Sequence, residues 1–271
     1  MPKLTAFDIQ KMKKTGKKIT MLTAYDFSLA TIFDEAKIDI LLVGDTMGQT
    51  VYGAETTLEV TLDMSIRHCQ AVTRGAKNYS LVIGDMPFLS YGLTIDETVA
   101  NAGKLVKEGH AEAVKLEGAS ETRIKEINAM VDIGIPVQGH IGLIPQSAYK
   151  LGGYKVQGKP ESYFTEEELI QSAKQLEEAG CFSIILEAIP YEVSKKITEA
   201  IKIPTIGIGA GPHCDGQVLV CYDMLGCTIG RKPKFVKTYA NLREEIIKAT
   251  KKYAEEVEDG TYPSLEYSYD G

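Results

Sequence analysis

The chain predicts a closed (β/α)8 TIM barrel, an α/β fold, and three observations carry that expectation. Short, almost uninterrupted apolar runs recur along the 271 residues. Helical patterns separate most of them, and eight runs correspond to roughly 34 residues per unit, the size usual for such barrels. Near-continuous apolar character, in place of period-two alternation, means strands buried on both faces and hence a parallel sheet covered by helices. An open doubly wound sheet satisfies the same pattern. The count of eight and the lack of a Gly/Pro/Ser-rich linker favour one barrel domain over residues 1–271.

In chain order, the first run is Ile19–Thr23 and the second is Ile38–Gly44, which leads into Asp45 and Thr46. Ser80–Asp85 is the third. A helix start follows at Thr94-Ile-Asp-Glu97, a capping box in which the Thr side chain and the Glu three residues on satisfy otherwise orphaned backbone N–H groups. Ala113–Glu117 and Ile135–His140 are the fourth and fifth runs. The stretch Ile141–Pro160 breaks the rhythm with four glycines and two prolines, and a loop of that length in a compact domain is commonly functional, here a candidate lid. A second capping box, Thr165-Glu-Glu-Glu168, opens a helix over Glu166–Glu178, whose Leu169, Ile170, Ala173 and Leu176 share one face. Phe182–Glu187, Pro204–Gly209 and, more weakly, Gln217–Cys221 complete the eight. The polar tail Asp259–Gly271 carries three tyrosines without periodicity, as a surface segment or an oligomer contact would.

Composition narrows the class. With 44% hydrophobic and 25% charged residues the chain can bury a sizeable core, which excludes disorder. Thirty Lys+Arg against 37 Asp+Glu leave a net charge of −7, and no basic run is long enough to track a phosphate backbone, so nucleic acid is not an expected partner. The five cysteines are odd in number and form no C-x-x-C pair, which fits a reducing cytosol. Met1 to Thr20 is dotted with Lys and Asp, and no apolar stretch reaches about 18 residues, so the expectation is a soluble cytoplasmic protein without a membrane span.

Active sites of such barrels sit at the C-terminal ends of the strands, and here those ends collect acids. Asp45-Thr46 follows the second run, Asp85 ends the third, Lys115 and Glu117 end the fourth, His140 the fifth and Glu187 the sixth. Each has a plainer reading. Asp45 and Asp85 serve equally well as turn residues, Lys115 and Glu117 as a structural ion pair, and His140 as a satisfied core histidine. Glu187 is harder to explain structurally, because nothing basic flanks it after a strongly apolar strand. Taken as a set, carboxylates on adjacent strands make a hard oxygen-ligand site that suits Mg²⁺, whereas zinc would want more Cys or His. Such a metal chelates a 2-oxo acid and acidifies the protons α to its carbonyl; an unliganded carboxylate in a partly apolar pocket, Glu187, is then the base.

Gly207-Ile-Gly-Ala-Gly211 is a weaker signal. It lacks the spacing of a dinucleotide fingerprint, and it is open to two readings, a phosphate loop or small residues that admit another chain segment. His213, Cys214 and Asp215 are too close in sequence to converge easily on one ion.

Seven ordered segments then resemble one known family. They are Met21-Leu-Thr-Ala-Tyr-Asp26, Val43-Gly-Asp-Thr-Met-Gly48, Gly84-Asp-Met-Pro-Phe88, Val114-Lys-Leu-Glu-Gly118, Gly139-His-Ile-Gly-Leu-Ile-Pro-Gln-Ser147, Leu186-Glu-Ala-Ile-Pro190 and Ile206-Gly-Ile-Gly-Ala-Gly211. From about Thr5 to Ala254 the chain closely resembles the ketopantoate hydroxymethyltransferases (3-methyl-2-oxobutanoate hydroxymethyltransferases). The resemblance implies a barrel of the phosphoenolpyruvate/pyruvate type that makes ketopantoate (2-dehydropantoate) for pantothenate and coenzyme A synthesis, with 5,10-methylenetetrahydrofolate as one-carbon co-substrate. It further implies that Asp45 and Asp85 ligate Mg²⁺, with Glu117 holding the metal site through water. Asp45, Thr46, Asp85 and Lys115 would contact the 2-oxo acid, His140 would line the pocket, and Glu187 would accept the proton. The family forms ring-like homo-oligomers, commonly decamers. One departure is Thr46, where the family usually has Ser: the hydroxyl is kept and a methyl is added.

Two rival readings remain at this level. A Mg²⁺-dependent C–C lyase on the same barrel needs the same chelated oxo acid but no folate. A non-catalytic barrel holding a phosphorylated regulator at Gly207–Gly211 would leave the acids without a purpose.

Overall fold

A computed structural model describes residues 3–230 and 232–270; the first two residues of the N-terminal stretch, Arg231 and the last residue of the tail lie outside the described residues. Two compact units result, one ending at Val220 and the other beginning at Cys221. The first holds eight parallel strands that close in sequence order: β1 (Ile19–Thr23), β2 (Ile40–Val43), β3 (Leu81–Asp85), β4 (Ala113–Lys115), β5 (Val137–Gly142), β6 (Ser183–Glu187), β7 (Thr205–Ile208) and β8 (Gly216–Leu219). β8 pairs back onto β1, with Ile19 opposite Gly216, so no sheet edge is left open. All eight expected runs are strands, and the barrel expectation holds over the open-sheet alternative. The differences lie at the ends: β2 is shorter than Ile38–Gly44, and the last strand starts one residue earlier and stops at Leu219, with Cys221 opening a helix.

The helices of this unit are α1 (Ala6–Thr15), α2 (Phe27–Glu35), the short α3 (Met47–Thr50), α4 (Leu62–Gly75), α5 (Ile95–Lys107), α6 (Glu121–Asp132), α7 (Glu166–Glu178) and α8 (Tyr191–Ala200). α7 matches its expected bounds, buries Leu169, Ala173 and Leu176, and starts with a complete capping box at Thr165. At Thr94 only half of that motif forms. Its hydroxyl accepts from the Glu97 N–H at 3.2 Å, but the Glu97 carboxylate takes the Thr94 hydroxyl at 2.8 Å rather than the backbone N–H.

Alternate strand residues fill the barrel. Ile19, Met21, Ile40, Leu42, Leu81, Ile83, Ala113, Ile185, Ile206 and Val218 form one interior cluster, joined from outside the sheet by Ile9 and Met12 of α1. α1 is thereby tied to the N-terminal end, where Lys13 also donates to the carbonyls of Thr198 and Ile203. Complete burial of an isoleucine such as Ile9 is worth about 1.5–3 kcal/mol. Interior residues with a period of two decide what reaches the mouth: Ile83 places Asp85 inward, Ala113 places Lys115 inward, and Ile185 does the same for Glu187.

The second unit contains α9 (Cys221–Leu225) and α10 (Leu242–Glu258). No residue of α10 is buried, and Ile246, Tyr253 and Val257 stand exposed. Of the tail tyrosines, Tyr262 packs on Tyr253 and Tyr267, with ring centroids 5.7 and 5.8 Å apart. Among the described residues no helix is long and apolar enough to cross a membrane.

Candidate active site

Six side chains singled out from strand ends meet at the mouth of the barrel, and a seventh borders it. Asp85 and Lys115 are register partners on β3 and β4. The Lys115 ammonium donates to both Asp85 oxygens, at 2.7 and 2.8 Å, so the bland reading of Lys115 as the partner of Glu117 alone is too narrow. Lys115 Nζ lies 3.7 Å from Glu117 Oε1. Asp45 follows β2, and its backbone N–H donates to Asp85 Oδ2 at 3.1 Å. His140 stands between two acids, with Nδ1 3.6 Å from Glu117 Oε1 and Nε2 3.1 Å from Glu187 Oε2. Glu187 therefore does have a nitrogen neighbour, contributed by the adjacent strand and invisible in its own flanks. Thr46 lies at the border, its hydroxyl 2.6 Å from the Tyr25 phenol.

Local backbone chemistry builds this arrangement. Gly142 ends β5 opposite Glu187 with φ of 99°, and a Cβ there would stand 2.2 Å from the Glu187 carbonyl oxygen. Only glycine lets the chain turn so close, which allows the Leu143 N–H to donate to that carbonyl at 2.9 Å and pin the end of β6.

Four carboxylates share one ammonium in a largely buried mouth. Asp45, Asp85, Lys115, Glu117 and His140 are all at most 4% exposed. Burial pushes Asp85 upward and the Lys115 charge pulls it back, while Asp45 adds to the rise. Burial also opposes the charge on Lys115, but Asp85, Glu117 and Asp45 outweigh it and keep the ammonium protonated. Glu117 is held well above the carboxylate range, first by burial and then by Asp45, Asp85 and Glu187, against Lys115. Burial and the Lys115 charge hold His140 well below the imidazole range, so the ring is neutral. Glu187 is pushed up to about 7 by burial, with Lys115 opposing.

The donor set is one of oxygens. Among the described residues no three His, Cys, Asp or Glu side chains already surround one point, and Lys115 rests on Asp85. Glu117 Oε1 is nevertheless buried without a hydrogen-bond partner. An orphaned acceptor beside two further carboxylates, with four acids against one cation, fits a hard divalent ion carrying waters.

Against this geometry, comparison with known proteins is decisive. The family model described as ketopantoate hydroxymethyltransferase matches residues 3–265. The 3-methyl-2-oxobutanoate hydroxymethyltransferase of Syntrophomonas wolfei is 50% identical over 269 residues, 99% of this chain and 96% of that one. That of Clostridium kluyveri is 53% identical, covering 95% and 90%, and that of Enterococcus faecalis 52%, covering 98% and 96%. The chain belongs to the ketopantoate hydroxymethyltransferase family. It is accordingly a one-carbon transferase that acts on 3-methyl-2-oxobutanoate and makes ketopantoate for pantothenate synthesis. Solved structures agree on the fold. A phosphonopyruvate hydrolase in complex with oxalate and Mg²⁺ superposes with a TM-score of 0.62 at 12% identity, covering 97% of this chain and 93% of that one. A 2,3-dimethylmalate lyase of the PEP mutase/isocitrate lyase superfamily gives 0.60 at 15%, covering 99% and 93%.

Sequence reasoning assigned no role to Gln146, which touches two of the acids at the mouth, Asp45 and Glu117. Gln146 donates from Nε2 to Asp45 Oδ2 at 2.9 Å and to the Met86 carbonyl at 3.0 Å, and its backbone N–H reaches Glu117 Oε2 at 3.1 Å. The Tyr91 phenol donates to Gln146 Oε1 and takes the Glu117 N–H at 3.3 Å. Arg123 stacks on Tyr91 at 4.1 Å from the ring centroid, donates to the Glu117 carbonyl at 2.9 Å, and pairs with buried Glu126. The signal that marks Gln146 is a lone polar side chain in the apolar stretch Leu143-Ile-Pro-Gln146, inside the matched motif.

Other sequence features resolve differently. The expected lid Ile141–Pro160 begins inside β5 and is anchored where Leu143, Ile144 and Leu151 pack with Phe164 and Ala188. Gly211 has φ of 77°, and a Cβ there would stand 2.2 Å from Tyr191 Cβ, so this glycine admits the start of α8, as the plainer reading had it. Asp215 does not join His213: it accepts the Thr205 N–H at 2.9 Å and pairs with Lys13 at 3.0 Å.

Proposed function

We propose that Asp45 and Asp85, with Glu117 behind them through water, hold Mg²⁺, and that the transferred carbon comes from 5,10-methylenetetrahydrofolate. When bound, the metal would supply Lewis-acid polarisation of the 2-oxo carbonyl. Lys115 and the Thr46 hydroxyl orient the substrate carboxylate, the ammonium offsetting charge that four acids would otherwise present to an anion. Glu187 removes the C3 proton. The C3 electron pair then forms the bond to the donor's methylene carbon, tetrahydrofolate leaves, and water supplies the hydroxyl oxygen. His140, neutral and with Nε2 3.1 Å from Glu187 Oε2, lines the pocket beside that carboxyl. The observation that carries this reading is Glu187 itself: a buried carboxyl at about 7 is matched to proton abstraction near neutral pH.

The account extends to a cytoplasmic enzyme assembled as a homo-oligomer, by family resemblance a decamer. Five free cysteines, four of them buried, support a reducing compartment, and the exposed apolar residues of α10 support association. The test is loss of the C3–H signal of 3-methyl-2-oxobutanoate in D₂O, followed by proton NMR with and without Mg²⁺ and then with the folate. Mg²⁺-dependent exchange in the absence of donor is expected; no exchange under any of these conditions overturns the base and metal assignments together.

A further inference from the structure

We propose that the cavity between the loops following β2 and β5 receives the planar ring system of the one-carbon donor, and that the lysines of the β5 loop meet its anionic tail. This rests on the folate-dependent transfer proposed above and names where that co-substrate sits.

A cavity of about 280 Å³ is lined by Thr56 and Leu58 from one loop and by Pro145, Ala148, Tyr149 and Tyr154 from the other. It shares a wall with the acid mouth. Pro145 and Gln146 belong to one short turn, Pro145–Ser147; the proline faces the cavity, while Gln146 points to Asp45 and Glu117. A donor must bring its methylene carbon to about 3–3.5 Å from C3 of the acceptor before the bond forms. A ring bound on the far side of that single turn is placed for such an approach.

The lining suits a flat, partly polar heterocycle. Tyr149 and Tyr154 are 82% and 58% exposed, two large rings left in water around a concavity that also offers Leu58, Pro145 and Ala148. Partial burial, then the charges of Asp45, Glu187 and Glu117, hold the Tyr154 phenol above its ordinary value, so this ring stands within electrostatic reach of the reacting centre. The volume lies just under the usual range of ligand sites, about 300–1,000 Å³, which suits the ring system and leaves the carboxylate tail outside. There the charge is complementary. Residues 141–160 carry Lys150, Lys155 and Lys159 and no acid, in a chain of net charge −7.

Equilibrium titration of the Mg²⁺-loaded protein with tetrahydrofolate, as monoglutamate and as pentaglutamate, tests the site, with donor-free C3–H exchange measured in parallel. Tyr154→Ala should weaken both forms about tenfold while exchange changes by less than about twofold. Lys150→Gln/Lys155→Gln/Lys159→Gln should weaken the pentaglutamate about tenfold more than the monoglutamate, and added salt should erase that difference. Should Tyr154→Ala fold poorly, Tyr149→Ala at the exposed rim is read in the same way. Unchanged affinity in the tyrosine variant, or exchange lost in step with binding, overturns the proposal. Failure of the wild-type protein to bind tetrahydrofolate while exchanging C3–H normally would instead remove the folate reading, and this subsite with it.

Discussion

Buried acids occupy both ends of the barrel, and the two ends treat them in opposite ways. At the N-terminal end Asp39, just before β2, accepts from the Thr20 N–H at 2.9 Å, the Thr20 hydroxyl at 2.8 Å, the Tyr79 phenol at 2.8 Å and Lys17 at 3.1 Å. Asp34, in α2, takes the backbone N–H groups of Asn78, Tyr79 and Ser80. Burial alone would raise both carboxyls, yet these donors outweigh it and hold both below the ordinary aspartate value. At the mouth Glu117 is as deeply buried and Glu187 largely so; Glu117 accepts the Gln146 N–H on Oε2 but has no hydrogen-bond partner on Oε1, and both carboxyls rise. All four are carboxyls largely removed from water; the supply of donors differs. The base spends its acids on stability, and the mouth leaves acceptor capacity open for substrate and metal.

The sharpest break between the ends should come from Glu187→Gln. Exchange of the C3 proton should fall by about 10²–10⁴-fold while Mg²⁺-dependent binding of 3-methyl-2-oxobutanoate persists, as read by NMR and calorimetry. In the native protein the exchange rate should rise with pH toward a plateau above about 7, because only the ionised carboxyl accepts the proton. The same variant reports on stability. A carboxyl whose folded pKa is raised opposes folding once the unfolded chain ionises, so Glu187→Gln should be more stable than native near pH 7 and indistinguishable below about pH 4.

Asp39→Ala should do the reverse. Removing an acceptor from buried donors should cost about 2–3 kcal/mol in urea unfolding, with C3–H exchange per folded molecule unchanged. A depressed carboxyl stabilises above the unfolded pKa, so the native protein's advantage over this variant should shrink as pH falls below about 4. A smaller effect is expected from Gln146→Ala, which removes the side-chain donor to Asp45 and the acceptor of the Tyr91 phenol but keeps the backbone N–H to Glu117: Mg²⁺-dependent substrate affinity should drop about tenfold, with a urea-unfolding cost of about 1 kcal/mol. The smallest belongs to Thr46→Ser. The hydroxyl that meets Tyr25 is kept, so the KM for 3-methyl-2-oxobutanoate should move by no more than about twofold, measured by steady-state assay with saturating donor.

What could be read in advance follows the physics of each region. Strands buried on both faces write themselves as apolar runs, and an acid that ends such a run stands out, which is why Asp85, Lys115 and Glu187 were legible. Their bounds were not, because the register between neighbours, as in Ile40 opposite Leu81, decides where pairing begins. Tyr91 and Gln146 escaped because their contacts join residues 26, 55 and 101 positions apart and no local period marks them, and Arg123 because it meets the site through the Tyr91 ring and the Glu117 backbone carbonyl. The unit from Cys221 onward was equally hidden. Its boundary carries no Gly/Pro-rich linker, and although Ile246, Tyr253 and Val257 recur at helical spacing in α10, no residue of that helix is buried, so the pattern does not mark where one unit ends.

Carboxyl-carbon NMR of the glutamate- and aspartate-labelled, metal-free protein addresses the contrast most directly, with Glu187→Gln and Asp39→Ala assigning the two resonances. Glu187 should titrate near 7 and Asp39 below the ordinary aspartate range. Two carboxyls titrating together in the ordinary range would contradict the division of the barrel into a satisfied base and an open, reactive mouth.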